Sequence, residues 1–285
     1  MFATRFAPSP TGLLHLGHAY SALVAHDVAR GMGGQFLLRF DDLDFGRVRP
    51  EYRISIYTDL DWLGLELDDR AVLQSDRTVL YLAALERLLA MNLIYPCFCS
   101  RADIAASVTA PHGPEGPIYP GTCRSLERSA ADDRIAAGEA PAWRLDTTRA
   151  MQRMPALHWQ DSDAGRVMGE PRIFGDVVLA PRDGAFAYHL ASTIDDAEMG
   201  ISHVVRGADL FAATHVHRLL QALLDLPSPL YRHHRLIGDA VGKRLAKRDD
   251  AACIASLRDS GMDPGQLIDN LRQSALPLGY CWLDA

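Results

Sequence analysis

The sequence predicts an α/β protein with a Rossmann-type catalytic domain, that is, one built on a parallel sheet. A strand, a turn, a helix and a second strand follow one another within about 40 residues, which is the length of one βαβ unit. The predicted helix carries an apolar stripe at 3.6-residue spacing. About half of the 285 residues are apolar (48%), so the chain can bury a sizeable core.

Local sequence signals predict each element of the first βαβ unit in turn. Thr4–Ala7 reads as a strand, and a Pro/Gly turn follows it. The second strand, Gln35–Asp44, leaves acidic groups at its carboxyl end, where parallel sheets bind their ligands. The helix between them has its stripe and its terminating glycines at Leu16, Ala19, Tyr20, Leu23, Val24, Val28, Gly31, Gly33 and Gly34.

The rest of the chain suggests an interrupted domain. Helices are expected at Pro50–Leu65 and Arg77–Met91. From Pro96 to about Arg182 prolines, glycines and short alternating segments predict an inserted, smaller α+β module. Phe186–Leu210 then returns to long apolar runs, and the last fifty residues read as a short helical C-terminal region. The predicted divisions are 1–94 and 186–235 for the two halves of the catalytic domain, 95–185 for the insertion and 236–285 for the C-terminal region.

Composition narrows the classes of function. The chain has no apolar run of membrane-spanning length, and its N-terminus does not resemble a signal peptide. Five cysteines, two of them in "CFC", fit a reduced compartment better than a disulfide framework, so a cytoplasmic protein is expected. The net charge of −7 argues against tight, non-specific binding of nucleic acid. Any contact with RNA should be local and specific.

The segment "RFAPSPTGLLHLGHAYSALVAH" carries the main motif. Two histidines three residues apart at a helix start could be metal ligands, core residues or phosphate ligands. A Gly-containing turn that opens a helix presents backbone N–H groups to phosphates. The segment resembles the "HIGH" signature of class I aminoacyl-tRNA synthetases, in the version of the glutamyl/glutaminyl group. The resemblance implies ATP contacts at Pro8, Ser9, Thr11, Gly12, His15, Gly17 and His18, with the two histidines catalytic.

A basic run late in the chain, "RLAKR" (Arg244–Arg248), stands where this family has its "KMSKS" loop. A lone basic run is more often a solvated helix face. By the resemblance, Arg244 and Lys247 bind ATP, and Lys247 is the third catalytic residue. The run departs from the family pattern at Arg244 and at Ala246, which lacks the hydroxyl of serine.

The resemblance also implies a pocket for glutamate. Arg5 could clamp a carboxylate bidentately, and Asp41 could accept hydrogen bonds from an α-ammonium. The family usually has glutamate at the position of Asp41, so the carboxylate here is one methylene shorter. The residues implied to contact glutamate are Arg5, Ala7, Ser9, Asp41, Tyr188 and Arg206.

Three cysteines, Cys97, Cys99 and Cys123, have spacings that can converge on one tetrahedral Zn²⁺. The pattern "YPCFCS" followed by "IYPGTCR" resembles the glutamyl-queuosine tRNA(Asp) synthetases. By that resemblance Tyr119 is the fourth ligand, although His112 in the intervening loop is a competitor. The zinc is expected to be structural, because a closed shell of protein ligands leaves no position for substrate.

About 37 residues follow Arg248, fewer than an anticodon-binding domain needs, so none is expected. With the zinc pattern, this resembles the glutamyl-queuosine tRNA(Asp) synthetases. The implied function is activation of L-glutamate by ATP with Mg²⁺, then transfer to queuosine at the wobble position of tRNA(Asp). The partner would be the anticodon arm of that tRNA, and the protein a monomer with no membrane partner.

Three alternatives remain open at the level of sequence. A truncated glutamyl-tRNA synthetase would have the same pocket and charge a 3′ end. An inactive synthetase paralogue with a binding or regulatory role is supported by the altered "KMSKS"-like run. A pantothenate-type ligase shares the HxGH pattern but has no use for the cysteines or for the two arginines.

Overall fold

The computed structural model describes residues 2–106, 112–154, 156–245 and 253–283. The helices are α1 (Leu16–Gly31), α2 (Pro50–Trp62), α3 (Thr78–Ala90), α4 (Arg101–Ala106), α5 (Arg128–Ala136), α6 (Thr147–Arg153), α7 (Tyr188–Glu198), α8 (Ala213–Leu223), α9 (Ile254–Asp259) and α10 (Pro264–Arg272). The strands are β1 (Ala3–Phe6), β2 (Gln35–Phe40), β3 (Val72–Leu73), β4 (Ile94–Cys97), β5 (His112–Gly113), β6 (Gly116–Pro117), β7 (Ala142–Leu145), β8 (His158–Asp161), β9 (Gly165–Met168), β10 (Val178–Ala180), β11 (His203–Gly207), β12 (Leu230–His234), β13 (Leu236–Asp239) and β14 (Tyr280–Leu283).

Parallel strands form the centre of the fold, as the sequence predicts. β2 pairs in parallel with β1 on one side and with β3 on the other. β11 and β12 form a second parallel pair, and the backbone N–H of Ser202 donates to Ala3 O at 3.1 Å, which places β11 beside β1. The predicted α/β fold class with a parallel sheet is therefore confirmed.

The first βαβ unit forms because α1 buries one face against this sheet. Its fully buried residues are small or aliphatic, and the outer members of the predicted stripe, Tyr20, Val24 and Val28, are only half-buried. β2 ends at Phe40, earlier than predicted. Asp41 and Asp42 follow the strand, and their side chains accept hydrogen bonds from Arg39 and Ser75 respectively.

The predicted insertion has its own small sheet, with β7 antiparallel to both β4 and β10. A separate apolar cluster lies beside it and contains Cys97, Phe98, Tyr119 and Cys123. Within residues 95–185, β8 pairs with β12 and β9 pairs with β8, so this hairpin extends the second parallel pair. The domain boundaries themselves stay a prediction.

The C-terminal region contains α9 and α10, as expected for a helical segment, and one strand that the sequence analysis did not predict. β14 pairs antiparallel with β13, with Leu283 opposite Leu236. The segment also returns to the first motif, because the N–H of Ile254 donates to Leu14 O at 2.8 Å. In the described ranges, no helix combines the length and the apolar character needed to cross a membrane.

Candidate active site

A cavity of about 1410 Å³ opens beyond the carboxyl ends of the parallel strands. Such a position is typical of ligand sites in open α/β sheets. Gly12 is buried in the turn and does not line the cavity, and Lys247 lies outside the described residues, as does Ala246. The predicted site residues that line it are Arg5, Ala7, Pro8, Ser9, Thr11, His15, Gly17, His18, Asp41, Tyr188, Arg206 and Arg244.

His15 and His18 stand together at the start of α1. Their rings stack with centroids 3.6 Å apart, and His18 Nδ1 accepts a hydrogen bond from the backbone N–H of His15 at 3.2 Å. A neutral His18 therefore carries its proton on Nε2, where it can be donated. Gly17 allows this arrangement, because a Cβ there would lie 3.1 Å from the His15 ring. The pair fits the interpretation as phosphate ligands.

The turn before the histidines is tied to the end of β2. Thr11 N donates to Ser9 O at 2.9 Å, and Asp41 N donates to Pro8 O at 3.1 Å. These backbone bonds hold the turn at the edge of the cavity, next to the helix N-terminus. That end of a helix favours anions such as a triphosphate.

The residues described on either side of positions 246–252 contact the cavity or the histidines. Arg244 and Leu245, the first two residues of the "KMSKS"-like run, line the cavity, and Cys253 forms an isolated β-bridge with His15. The Arg244 guanidinium, 63% exposed, contacts the Asp209 carboxylate at 2.5 Å. The predicted contacts of Lys247 fall on residues that the structure does not describe, and they stay a prediction.

Arg5 and Asp41 line the cavity but already have charged partners. Arg5 donates twice to Asp196, at 2.8 and 3.2 Å, and once to Val205 O. Asp41 accepts from Arg39 Nε at 2.7 Å, and Arg39 also donates to Asp196. Burial raises the pKa of Asp41, with Arg39 opposing the effect. Burial also acts to raise the pKa of Asp196, but the charges of Arg5 and Arg39 outweigh it and leave that pKa low.

Arg206 differs, because its partners are uncharged. It is 4% exposed, and it donates to His233 Nε2 at 3.1 Å, to Tyr188 OH at 3.0 Å and to Thr214 Oγ1 at 2.6 Å. Among the described residues no carboxylate lies within ion-pair distance of it. A buried cation without an ion pair is costly unless an anion arrives. This guanidinium is therefore suited to bind a carboxylate.

His233 accepts a hydrogen bond from the Arg206 guanidinium and is itself held by Asp161. Its Nδ1 lies 2.7 Å from Asp161 Oδ2, and both side chains are buried. Burial, together with the charge of Arg206, lowers the pKa of His233 to about 4. The neutral ring donates from Nδ1 to Asp161 and accepts the Arg206 Nε–H at Nε2.

The sequence analysis missed Arg39, Asp196, His233 and Asp161. A signal existed for Arg39, because an arginine inside the apolar run "QFLLRF" needs a buried anion. The adjacent acids of "TIDD" (Thr193–Asp196) could have supplied one. No local pattern pointed to His233, whose partners are 27 and 72 positions away.

The predicted metal ligands converge. The Sγ atoms of Cys97, Cys99 and Cys123 all lie within 4.8 Å of one another, and two of them are 3.6 Å apart. Thiolates at 2.3 Å around a tetrahedral zinc ion would lie about 3.8 Å apart, so the donor set fits the metal. Tyr119 OH lies 3.5 Å from Cys99 Sγ and accepts from Cys123 N at 2.8 Å. The side chain of His112 lies outside the described residues.

A parallel sheet, two stacked histidines at a helix start and Arg244 beside the same cavity are the features expected for the catalytic domain of a class I aminoacyl-tRNA synthetase. Residues 1–278 match the family described as "tRNA synthetases class I (E and Q), catalytic domain". The chain belongs to this family.

Among curated proteins, the chain is similar to two named "Glutamyl-Q tRNA(Asp) synthetase". One, from Rhodobacter capsulatus, is 45% identical over 274 residues, which cover 93% of this chain and 97% of the relative. The other, from Symbiobacterium thermophilum, is 41% identical and covers 95% of this chain and 85% of the relative.

The solved structures support the same assignment. A glutamate tRNA ligase from Elizabethkingia meningosepticum, in complex with its amino acid, has a TM-score of 0.79 and 26% identity. The match covers 95% of this chain but 60% of that ligase, so the chain spans about three-fifths of its length. A methionyl-tRNA synthetase from Mycobacterium tuberculosis, at a TM-score of 0.60 and 12% identity, shares the fold alone.

Proposed function

We propose that the protein activates L-glutamate with ATP and transfers the glutamyl group to the queuosine base at the wobble position of tRNA(Asp). The observation that carries the specificity for an acidic amino acid is Arg206, a buried cation without a carboxylate partner in the described structure. The names of the 39–45% identical relatives support the acceptor.

Activation is an attack of the glutamate α-carboxylate oxygen on the α-phosphorus of ATP. The bond from that phosphorus to the pyrophosphate oxygen breaks, and pyrophosphate leaves with the electron pair. His15 and His18 stabilise the phosphoryl charge by hydrogen bonds that strengthen as it develops. Lys247 holds the triphosphate in this proposal, and Mg²⁺ bound with ATP would neutralise part of its charge.

Arg206 orients glutamate by binding its side-chain carboxylate, with the Tyr188 hydroxyl beside it. Asp41 accepts a hydrogen bond from the α-ammonium of glutamate. This role fits its position on the cavity lining, where it also pairs with Arg39 of β2. In this proposal Arg5 also contacts glutamate, while Asp196 holds its guanidinium in place. Ala7 and Ser9 form the adjoining wall.

Transfer follows when a hydroxyl of the queuosine cyclopentenediol attacks the carbonyl carbon of the glutamyl-adenylate. The carbon–oxygen bond to AMP breaks, AMP leaves as the phosphate monoester, and the hydroxyl proton passes to a phosphate oxygen. The adenylate thereby serves as its own base, which requires no side chain of the cavity in that role.

Zinc held by Cys97, Cys99, Cys123 and Tyr119 would tie the insertion together and take no part in the reaction. Its donor set lies in a buried cluster away from the main cavity lining. The anticodon arm as the contacted part of the tRNA, the monomeric state and the cytoplasmic location stay predictions.

The test has two parts. ATP–pyrophosphate exchange is measured with glutamate and without tRNA, and labelled glutamate is then transferred to tRNA(Asp) containing queuosine and mapped by nuclease digestion. We expect exchange without tRNA and label on the wobble nucleotide. Label on the 3′-terminal adenosine would instead establish a truncated glutamyl-tRNA synthetase. Absence of exchange in a folded sample would identify an inactive paralogue.

A further inference from the structure

A second cavity, of about 300 Å³, adjoins the active site. Tyr188 lines both cavities, so the two adjoin at this residue. The second cavity is bounded by the β5–β6 hairpin, by the start of α7 and by the chain before β10. Nothing in the activation of glutamate uses this space.

Buried polar groups line the second cavity without full partners. His189 is 4% exposed, and its Nδ1 has no hydrogen-bond partner among the described residues. Arg144 is 9% exposed and donates from Nη1 to Asp176 O, but its Nε has no partner there either. Leaving such groups unsatisfied is costly, so the cavity is suited to a ligand with a polar edge.

Glu115 supplies a negative charge at the mouth of the cavity. Its side chain is 61% exposed, and Oε1 lies 3.1 Å from His189 Nε2. A carboxylate has about four acceptor sites on its two oxygens, so this contact leaves room for a cation. Three aromatic residues, Phe174, Tyr119 and Tyr188, are among the residues that line the cavity. Such a wall suits a flat aromatic base.

We propose that this cavity holds the base of the acceptor nucleoside, with the protonated secondary amine of its side chain against Glu115. The inference rests on the proposed function, because it supposes that queuosine is the acceptor. Queuosine is a 7-deazaguanosine that carries its cyclopentenediol on an aminomethyl link. A base in the second cavity would direct the diol past Tyr188 into the main cavity, towards the carbonyl carbon of the adenylate.

The test is a thermodynamic cycle that compares two proteins, the native protein and Glu115→Gln, with two ligands. Dissociation constants are measured for the nucleosides queuosine and 7-deazaguanosine, which lacks the amine and the diol. We expect the native protein to bind queuosine the more tightly. In Glu115→Gln that preference should fall about fivefold, the size expected for loss of a half-exposed ion pair with charge-assisted hydrogen bonds.

Glu139→Gln is the matched control, since Glu139 is also an exposed glutamate of the insertion but pairs with Arg134. The control should keep the full preference for queuosine. Equal binding of the two nucleosides by the native protein, or an unchanged preference in Glu115→Gln, would overturn the assignment of the cavity. Folding of each variant is checked by its unfolding midpoint.

Transfer of glutamate to queuosine-containing tRNA is measured on the same preparations. The rate at low tRNA concentration should fall in Glu115→Gln by the factor found for binding. The exchange reaction, which needs no tRNA, separates a failure of activation from a loss of acceptor binding. Because nucleoside binding is measured without any transfer, failure of the proposed function and failure of this inference give different results.

Discussion

Replacing Asp196 with asparagine is expected to destabilise the protein strongly. Asp196 joins two buried arginines of the active site by three hydrogen bonds, two from Arg5 at 2.8 and 3.2 Å and one from Arg39 at 2.7 Å. Arg39 keeps a second carboxylate, Asp41, when Asp196 is neutralised. For Arg5 the described residues contain no other carboxylate within ion-pair distance.

The expected loss in the free energy of unfolding follows from the burial of both arginines. The side chains of Arg5 and Arg39 are 4% and 0% exposed, so water cannot replace the lost charge. Breaking a buried ion pair by removal of one partner costs about 3–5 kcal/mol. The asparagine oxygen still accepts one hydrogen bond, which favours the lower figure, about 3 kcal/mol. That is a large part of the roughly 5–15 kcal/mol by which domains are stable.

The assay is urea unfolding of Asp196→Asn and of a matched control, Asp27→Asn. Asp27 also takes two hydrogen bonds from one arginine, Arg272, at 2.8 and 2.9 Å, but the two side chains are 34% and 47% exposed. The control should lose less than about 1 kcal/mol. Equal losses in the two variants, at unchanged m-values, would refute the claim that burial makes the Asp196 pairs matter.

Three further predictions concern the site. Arg206→Gln should raise the KM for glutamate in the exchange reaction roughly 100-fold through lost charge-assisted hydrogen bonds, and an equal rise in the KM for ATP would contradict the assigned role. Cys123→Ser should be purified with less than one zinc per chain by elemental analysis and have a lower Tm; a full equivalent of zinc would exclude Cys123 as a ligand. Because the pKa of His233 is about 4 in the folded protein and about 6.5 in the unfolded chain, the folded protein binds fewer protons between these values. Stability in urea should therefore fall by about 3 kcal/mol as pH drops from about 7 to about 4, and His233→Gln should flatten that slope.

The local patterns of the sequence predicted much of the fold. The stripe of α1 and the Pro/Gly turn lie within a few residues of each other, so their geometry follows from short-range rules. The stacking of His15 on His18 is a consequence of helical spacing. The three cysteines also converge as their spacing indicates.

What the sequence analysis did not predict depends on contacts between distant parts of the chain. The contact of Arg5 with glutamate stays a prediction, but its pairing with Asp196, 191 positions away, had no local signal. β14 pairs with β13 across the C-terminal region, and it has no alternation that marks it as a strand. Such pairings are decided by tertiary packing, which a single sequence encodes without a local signature.

Asp41 is an intermediate case. Its pairing with Arg39 joins residues two positions apart at the carboxyl end of β2. The pairing with Arg39 could be predicted from this short spacing, and the contact with the substrate stays a prediction. A carboxylate at such an edge can serve both partners, since its two oxygens accept several hydrogen bonds.

The contact between His233 and Arg206 has a consequence for how fast the site can fill. The His233 imidazole lies between the Asp161 carboxylate and the Arg206 guanidinium and is hydrogen-bonded to both. A protein carboxylate in direct contact with Arg206 would compete with the substrate, and each incoming anion would first have to displace it. The imidazole keeps the guanidinium aligned and holds the Asp161 carboxylate one ring away, so an arriving carboxylate meets a cation that is already oriented to bind it.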